Sequence, residues 1–241
     1  MLQVTRGIVF HTIPYSDSRI IAKIYTEYSG VESFILTISR SKKGKIKNNL
    51  LQPLTQLDLV VDYRGKNSLQ NIRELSCTMP YKHLQEDIIK TSIALFLAEV
   101  LYKSVKEEEA NEQLYAFLAN SLHILDLQEE GVANFHLVFL MQLTRYLGFP
   151  PQPNRFGEKS IFDLRDGVFR DKFPDHLHYL DAAEARMFES LSQLTYSSME
   201  TFPLSGETRR IMVRHILRYY DLHLHNMHEV KSHQVLEVVL S

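Results

Sequence analysis

From Ser39 to Leu50 the chain reads Ser-Arg-Ser-Lys-Lys-Gly-Lys-Ile-Lys-Asn-Asn-Leu. Arg40, Lys42, Lys43, Lys45 and Lys47 place five cations within eight residues, and no acidic side chain interrupts them. Such a set suits a polyanion, because each Lys or Arg can neutralise one phosphate and release a condensed counterion. The alternative is a solvated surface loop with no ligand.

A second basic set lies near the C-terminus. Arg210, Arg214 and Arg218 recur every four residues, so on a helix they form one stripe. It reads either as a solvated helix face or as a second contact for DNA or an acidic peptide. His215, His223, His225, His228 and His233 cluster in the same region. Of these, His225 and His228 would share a helix face, whereas His223 and His225 would diverge by about 200°. No H-E-x-x-H pattern is present, so the histidines make a weak metal set. The sequence also lacks G-x-S-x-G, Walker and G-x-G-x-x-G patterns. Cys77 is the single cysteine, which excludes an internal disulfide and a cysteine-based zinc site.

Residues 1–78 carry the patterns of five short strands. Leu2 to Phe10, Ser18 to Thr26, Val31 to Ile38, Leu54 to Tyr63 and Ser68 to Ser76 are the candidates. Alternation is clearest where Ile20, Ala22 and Ile24 oppose Ile21, Lys23 and Tyr25. Five short strands in so few residues favour a small barrel, because closure removes exposed edges. Phe10, Tyr15, Tyr25, Tyr28, Phe34 and Tyr63 interleave it, and one or two of these rings could stack on bases.

The pattern changes at Met79-Pro80. Helices are predicted over Tyr81–Val105, Glu107–Leu127, Val132–Leu147, Asp181–Thr195, Ser205–His225 and Ser232–Leu240. The third is apolar nearly all round and should be the buried centre of a second domain. Asp181 with Glu184 resembles a capping box. The sequence thus divides into a barrel domain at 1–79 and a helical domain at 80–241, with an irregular insertion at about 149–180.

Composition agrees with a globular protein: 44% of the 241 residues are hydrophobic and 23% charged. No run of about 18 uncharged apolar residues suggests a membrane span. Met1 to Phe10 lacks the apolar block of a signal peptide, so no membrane role is expected. The net charge of −2 hides an asymmetry. Residues 1–80 hold 11 Lys and Arg against 6 Asp and Glu, while the remainder holds 16 against 23. A basic barrel and an acidic helical domain point to different partners.

The chain resembles the bacterial RecO family of DNA repair and recombination mediators. The resemblance rests on Arg6-Gly7-Ile8-Val9, Tyr15-Ser16-Asp17 and Tyr25 to Gly30, then Arg40-Ser41-Lys42-Lys43 and Leu51-Gln52-Pro53-Leu54. It continues at Tyr146-Leu147-Gly148-Phe149-Pro150 and Lys231-Ser232. It implies an α+β chain, with a five-stranded OB-fold barrel followed by an all-α domain. It also implies binding of single- and double-stranded DNA, strand annealing, help in loading recombinase, and a bacterial cytoplasmic, nucleoid-associated location. RecR and the C-terminal tail of the single-stranded DNA-binding protein are the implied protein partners. DNA contact carries over to Arg40, Lys42, Lys43 and Lys47.

Many members hold zinc on four cysteines after the Gly-Phe-Pro segment. Asn154 to Tyr179 contains none, so no cofactor is expected. Phe156, Ile161, Phe162, Val168 and Phe173 are the residues expected to hold that segment together. The acidic tail of the partner needs an apolar pocket with a cation at its rim. Arg145 with Phe139, Met141, Leu143 or Phe149 is one candidate pocket; ordinary core packing is the other reading. Two rival functions stand beside DNA mediation: an adaptor whose barrel binds protein, and a metal-dependent hydrolase using the C-terminal histidines.

Overall fold

Alternating residues in the first 77 positions form five strands, which the computed structural model joins into a closed barrel in the order β1-β2-β3-β5-β4. The structure describes residues 1–37, 48–65, 68–106, 109–157, 159–225, 227 and 230–240. The strands are β1 (Leu2–Ser16), β2 (Arg19–Thr26), β3 (Gly30–Thr37), β4 (Gln56–Asp62) and β5 (Gln70–Cys77). All neighbours are antiparallel except β3 and β5, which close the barrel through a short parallel contact at Phe34–Gln70 and Ile35–Asn71. Val9, Ala22, Ile24, Phe34, Leu36, Leu57, Leu59 and Val61 fill the interior. Gly7 permits this packing, since a Cβ there would meet Ile24 at 2.6 Å.

The chain forms two compact units, Met1–Leu127 and Gln128–Ser241. The first unit adds α1 (Ile88–Ser104) and α2 (Glu112–Leu127) to the barrel. Helix α1 starts seven residues later than its periodicity predicts, for a local reason. The buried Asp126 carboxylate accepts the backbone N–H groups of Lys82, His83 and Leu84 at 2.8–2.9 Å. Those amides are thereby held in turns, and Asp87 becomes the N-cap, accepting from Ile89 and Lys90. Arg6 fastens the barrel to α2: it pairs with Glu27 at 2.5 Å and lies 5.5 Å over the Tyr115 ring.

The second unit holds α3 (Phe135–Tyr146), α4 (Ala182–Gln193), α5 (Gly206–His223) and α6 (His233–Val239). As predicted, α3 is buried on nearly every side, from Phe135 to Thr144. The capping box of Asp181 and Glu184 is present at α4, and Ser205 caps α5. Tyr220 donates its hydroxyl to the Leu140 carbonyl at 2.7 Å, joining α5 to α3. The segment read as irregular contains a three-stranded sheet, β7-β6-β8, made of β6 (Ile161–Asp163), β7 (Val168–Arg170) and β8 (Tyr179–Leu180). Strands of two or three residues are too short to show alternation. Among the described residues, no helix is long and apolar enough to cross a membrane.

Candidate nucleic-acid interface

Arg40, Lys42, Lys43, Lys45 and Lys47 lie outside the described residues. The structure does describe the two ends from which that segment hangs. On one side β3 runs to Thr37. On the other, a 3-10 turn at Asn48–Leu51 sets Leu51 into the barrel core, with Leu50 packed against it. Leu54 follows, fully buried and with φ of +63°, the one described non-glycine residue in the left-handed region. Its N–H donates to the Val9 carbonyl at 2.6 Å, while the Val9 N–H donates to the Thr55 carbonyl at 3.0 Å. The Tyr81 hydroxyl donates to the Leu54 carbonyl at 2.6 Å. A bulky residue in this conformation costs about 1–3 kcal/mol and persists only where its surroundings over-determine it. The return leg of the loop is therefore fixed by the barrel itself.

The aromatic candidates separate cleanly. Phe10, Tyr25 and Phe34 are core residues, and Tyr63 is half-buried. Tyr15 and Tyr28 are 58% and 54% exposed, so those two rings are available to a ligand.

Arg210, Arg214 and Arg218 do share the exposed face of α5. Two of them are already engaged. Arg214 makes a paired contact with Glu237 of α6 at 2.9 and 2.7 Å, which raises its pKa. Arg218 donates to the Nδ1 of His178 at 2.8 Å. The neighbouring Arg209 turns inward, donating to Asn134 Oδ1 and to the carbonyls of Leu204 and Leu240.

The histidines scatter into packing roles. His215 meets Glu184 at 2.9 Å, and His223 meets the Leu164 carbonyl at 3.0 Å while stacking on Phe149. Helix α5 ends at His223, so it does not carry His225, and His228 lies outside the described residues. Among the described residues, no three His, Cys, Asp or Glu side chains converge as metal ligands.

Two family models match the chain: Recombination protein O N terminal over residues 1–81, and Recombination protein O C terminal over residues 85–232. A protein named DNA repair protein RecO from Bacteroides fragilis is 39% identical over 238 residues, 98% of each chain. Its namesake from Phocaeicola vulgatus is 38% identical over 241 residues, covering both chains fully, and that from Porphyromonas gingivalis 33% over 244, covering 99% of each.

The chain belongs to the RecO family.

The segment from Asn154 to Tyr179, which holds no cysteine, is organised around a buried carboxylate. Asp163 is buried, and its Oδ1 accepts the N–H groups of Arg165 and Asp166 at 3.0 and 3.1 Å, with His176 Nε2 at 3.5 Å. Its Oδ2 accepts Arg170 Nε at 2.9 Å. Phe162 packs on Phe169, Phe188 and Tyr219 behind it. Phe156 and Phe173 are 55% and 70% exposed, so the expectation that they hold the segment is corrected: polar bonds to Asp163 and the Phe162 cluster do that work. With both Asp163 oxygens engaged by these donors and no cysteine in the segment, the residues present do not fit a four-cysteine zinc site.

The residues considered for a RecO partner-peptide pocket fall in different settings. Phe139, Met141 and Leu143 are buried in the interior of the second unit. Arg145 is exposed and donates to the Ser192 carbonyl at 3.5 Å. Phe149 is half-buried against Tyr219, Tyr220 and His223.

Proposed function

We propose that this protein is a non-enzymatic DNA repair and recombination mediator, acting in the bacterial cytoplasm at the nucleoid. It anneals complementary single strands and helps load recombinase onto DNA coated by single-stranded DNA-binding protein. The observation that carries this reading is a basic ten-residue sequence, 38–47, between β3 and a hydrogen-bonded return at Leu54 on a closed barrel, in a RecO-family chain.

Annealing needs no covalent chemistry. Two polyanionic strands must be brought together with their repulsion offset and their bases left free. Lysines on a loop do this, because they bind phosphate as point charges without reading sequence. Arg40, Lys42, Lys43, Lys45 and Lys47 are the proposed contacts, with Arg210, Arg214 and Arg218 as a second face. The helical part, acidic overall, serves as the docking region for RecR and for the tail of the single-stranded DNA-binding protein. Arg145, which is exposed, is the part of the candidate pocket that an incoming carboxylate can reach.

A strand-annealing assay on oligonucleotides coated by single-stranded DNA-binding protein tests the reading. Faster annealing, weakened when Lys42 and Lys43 are replaced by alanine, is the expected outcome. Binding to RecR without measurable affinity for any oligonucleotide would instead make the barrel a protein adaptor.

A further inference from the structure

The outer face of β1, β2 and β3 consists of cross-strand rows. Arg19 lies opposite Thr37, Ile21 opposite both Ile13 and Ile35, and Lys23 opposite both His11 and Ser33. Thr37 is the residue from which the basic segment departs. The face therefore starts at the root of that loop and runs roughly 13 Å along β2, four residues at about 3.3 Å each, from Arg19 to Lys23.

At its far end, the last turn of α1 and the residues just after it deliver three more side chains, Tyr102, Lys103 and Lys106. The Tyr102 ring lies 4.6 Å from that of His11. Lys106 Nζ sits 5.3 Å over the Tyr102 ring and donates to the Tyr102 carbonyl at 2.9 Å. Lys23 Nζ donates to Ser33 Oγ at 2.5 Å. Lys103 lies 3.6 Å from Glu99, and among the described residues no carboxylate stands within ion-pair distance of Lys23 or Lys106. Partial burial, and then the charges of Lys23 and Lys103, hold Lys106 below the ordinary lysine pKa. Lys23 on β2, paired across the sheet with His11, and Lys106 over the Tyr102 ring thus flank the same His11–Tyr102 contact, with Lys103 beside it, and among the described residues the ion pair of this set is Lys103 with Glu99. Like charges held together cost free energy, which an anion placed between them recovers.

We infer that Lys23, Lys103 and Lys106 form a second phosphate-binding site, which takes the backbone of a single DNA strand along the outer face of β2. The inference rests on the proposed DNA-binding role of the barrel. A single strand fits better than a duplex because the face between the cations is apolar and aromatic. Ile13, Ile21 and Ile35, with the rings of His11 and Tyr102, suit unstacked bases. Favourable interaction with the C-terminal end of α1 accounts for Lys103 and Lys106, but not for Lys23, which is on a strand.

Fluorescence anisotropy with a labelled oligothymidylate tests the site on three proteins: wild type, the Lys23→Gln/Lys103→Gln/Lys106→Gln variant, and Glu99→Gln. Loss of three phosphate contacts should make the log affinity against log salt slope shallower by about 2. Glu99→Gln should tighten binding, since it removes the carboxylate that pairs with Lys103. If the lysines only stabilise the helix end, the triple variant melts earlier yet keeps the wild-type slope, and Glu99→Gln binds as the wild type does; that pair of results overturns the site while leaving DNA binding by the barrel intact. Should the triple variant fail to fold, Glu99→Gln decides alone. Absence of oligonucleotide binding by the wild type would overturn both readings.

Discussion

The Tyr81 hydroxyl donates to the Leu54 carbonyl at 2.6 Å, across a sequence separation of 27 residues. Leu54 is the strained residue at which the chain re-enters the barrel after the basic segment. Tyr81 lies just beyond β5, where the chain turns toward the helices. Burial raises the Tyr81 pKa, so the hydroxyl remains a neutral donor at every physiological pH. One hydrogen bond therefore holds both the root of the proposed DNA-binding loop and the exit of the barrel.

Replacing Tyr81 with phenylalanine should cost about 1–3 kcal/mol, the usual penalty for leaving a buried carbonyl without its donor. Urea unfolding of the two proteins measures this. A change well below 1 kcal/mol would show that the Leu54 conformation is held by packing and by the Val9 bond alone.

Asp126 should behave as a structural acid. Burial pushes its carboxyl pKa up, but the three amides of Lys82, His83 and Leu84 more than offset this and hold it below the usual range. A carboxylate depressed in the folded state contributes stability above its unfolded pKa of about 3.9, and that contribution is lost as pH falls through the folded value. Asp126→Asn should destabilise the protein by about 1–3 kcal/mol at pH 7, because the amide nitrogen cannot accept from Lys82. Below pH 4 wild type and variant should converge. A constant difference across pH 3 to 7 would contradict this.

His136 should make the second unit sensitive in a milder range. Burial, then the charge of Arg209, lowers its pKa to about 3. Its unfolded value is about 6.5, so between the two the unfolded chain holds one more proton. Stability from this group is complete above about pH 6.5 and declines by roughly 1.4 kcal/mol per unit as pH falls toward 3. His136→Gln should remove that slope. The stability gap between wild type and variant should narrow by about 2 kcal/mol from pH 7 to pH 5, measured by urea unfolding. An unchanged gap would mean that the ring protonates in place.

The α5 stripe predicts a test by release of a cation. Glu237 holds Arg214 in an exposed pair that solvent screens, so Glu237→Gln should leave the melting temperature nearly unchanged. If this face contacts DNA, the variant should bind oligonucleotide more tightly, and Arg210→Ala/Arg218→Ala more weakly. Equal affinity in all three proteins would mark the stripe as a solvated face.

Much of this architecture is legible in the sequence where one element repeats a pattern. The alternation around Ile20 to Tyr25 gives β2, and the spacing of Leu114, Leu118, Leu122 and Leu125 gives the buried stripe of α2. What escapes is decided by contacts between distant segments. The late start of α1 depends on Asp126, more than 40 residues ahead of the amides it captures. The short sheet at 161–180 depends on Asp163 and on Phe162 packing, neither of which has a period. The Lys23, Lys103 and Lys106 cluster draws on segments some 80 residues apart, and no linear scan for charge runs brings them together.

DNA binding through the 38–47 segment is tested most directly by the salt dependence of oligonucleotide affinity in wild type and in Lys42→Ala/Lys43→Ala. Each lost phosphate contact on a single strand should reduce the slope of log affinity against log salt by about 0.7, so the double variant should lose about 1.4 while keeping the wild-type melting temperature. A wild-type affinity that does not fall with salt, or a double variant with the same slope and affinity as the wild type, would contradict the placement of DNA on this loop.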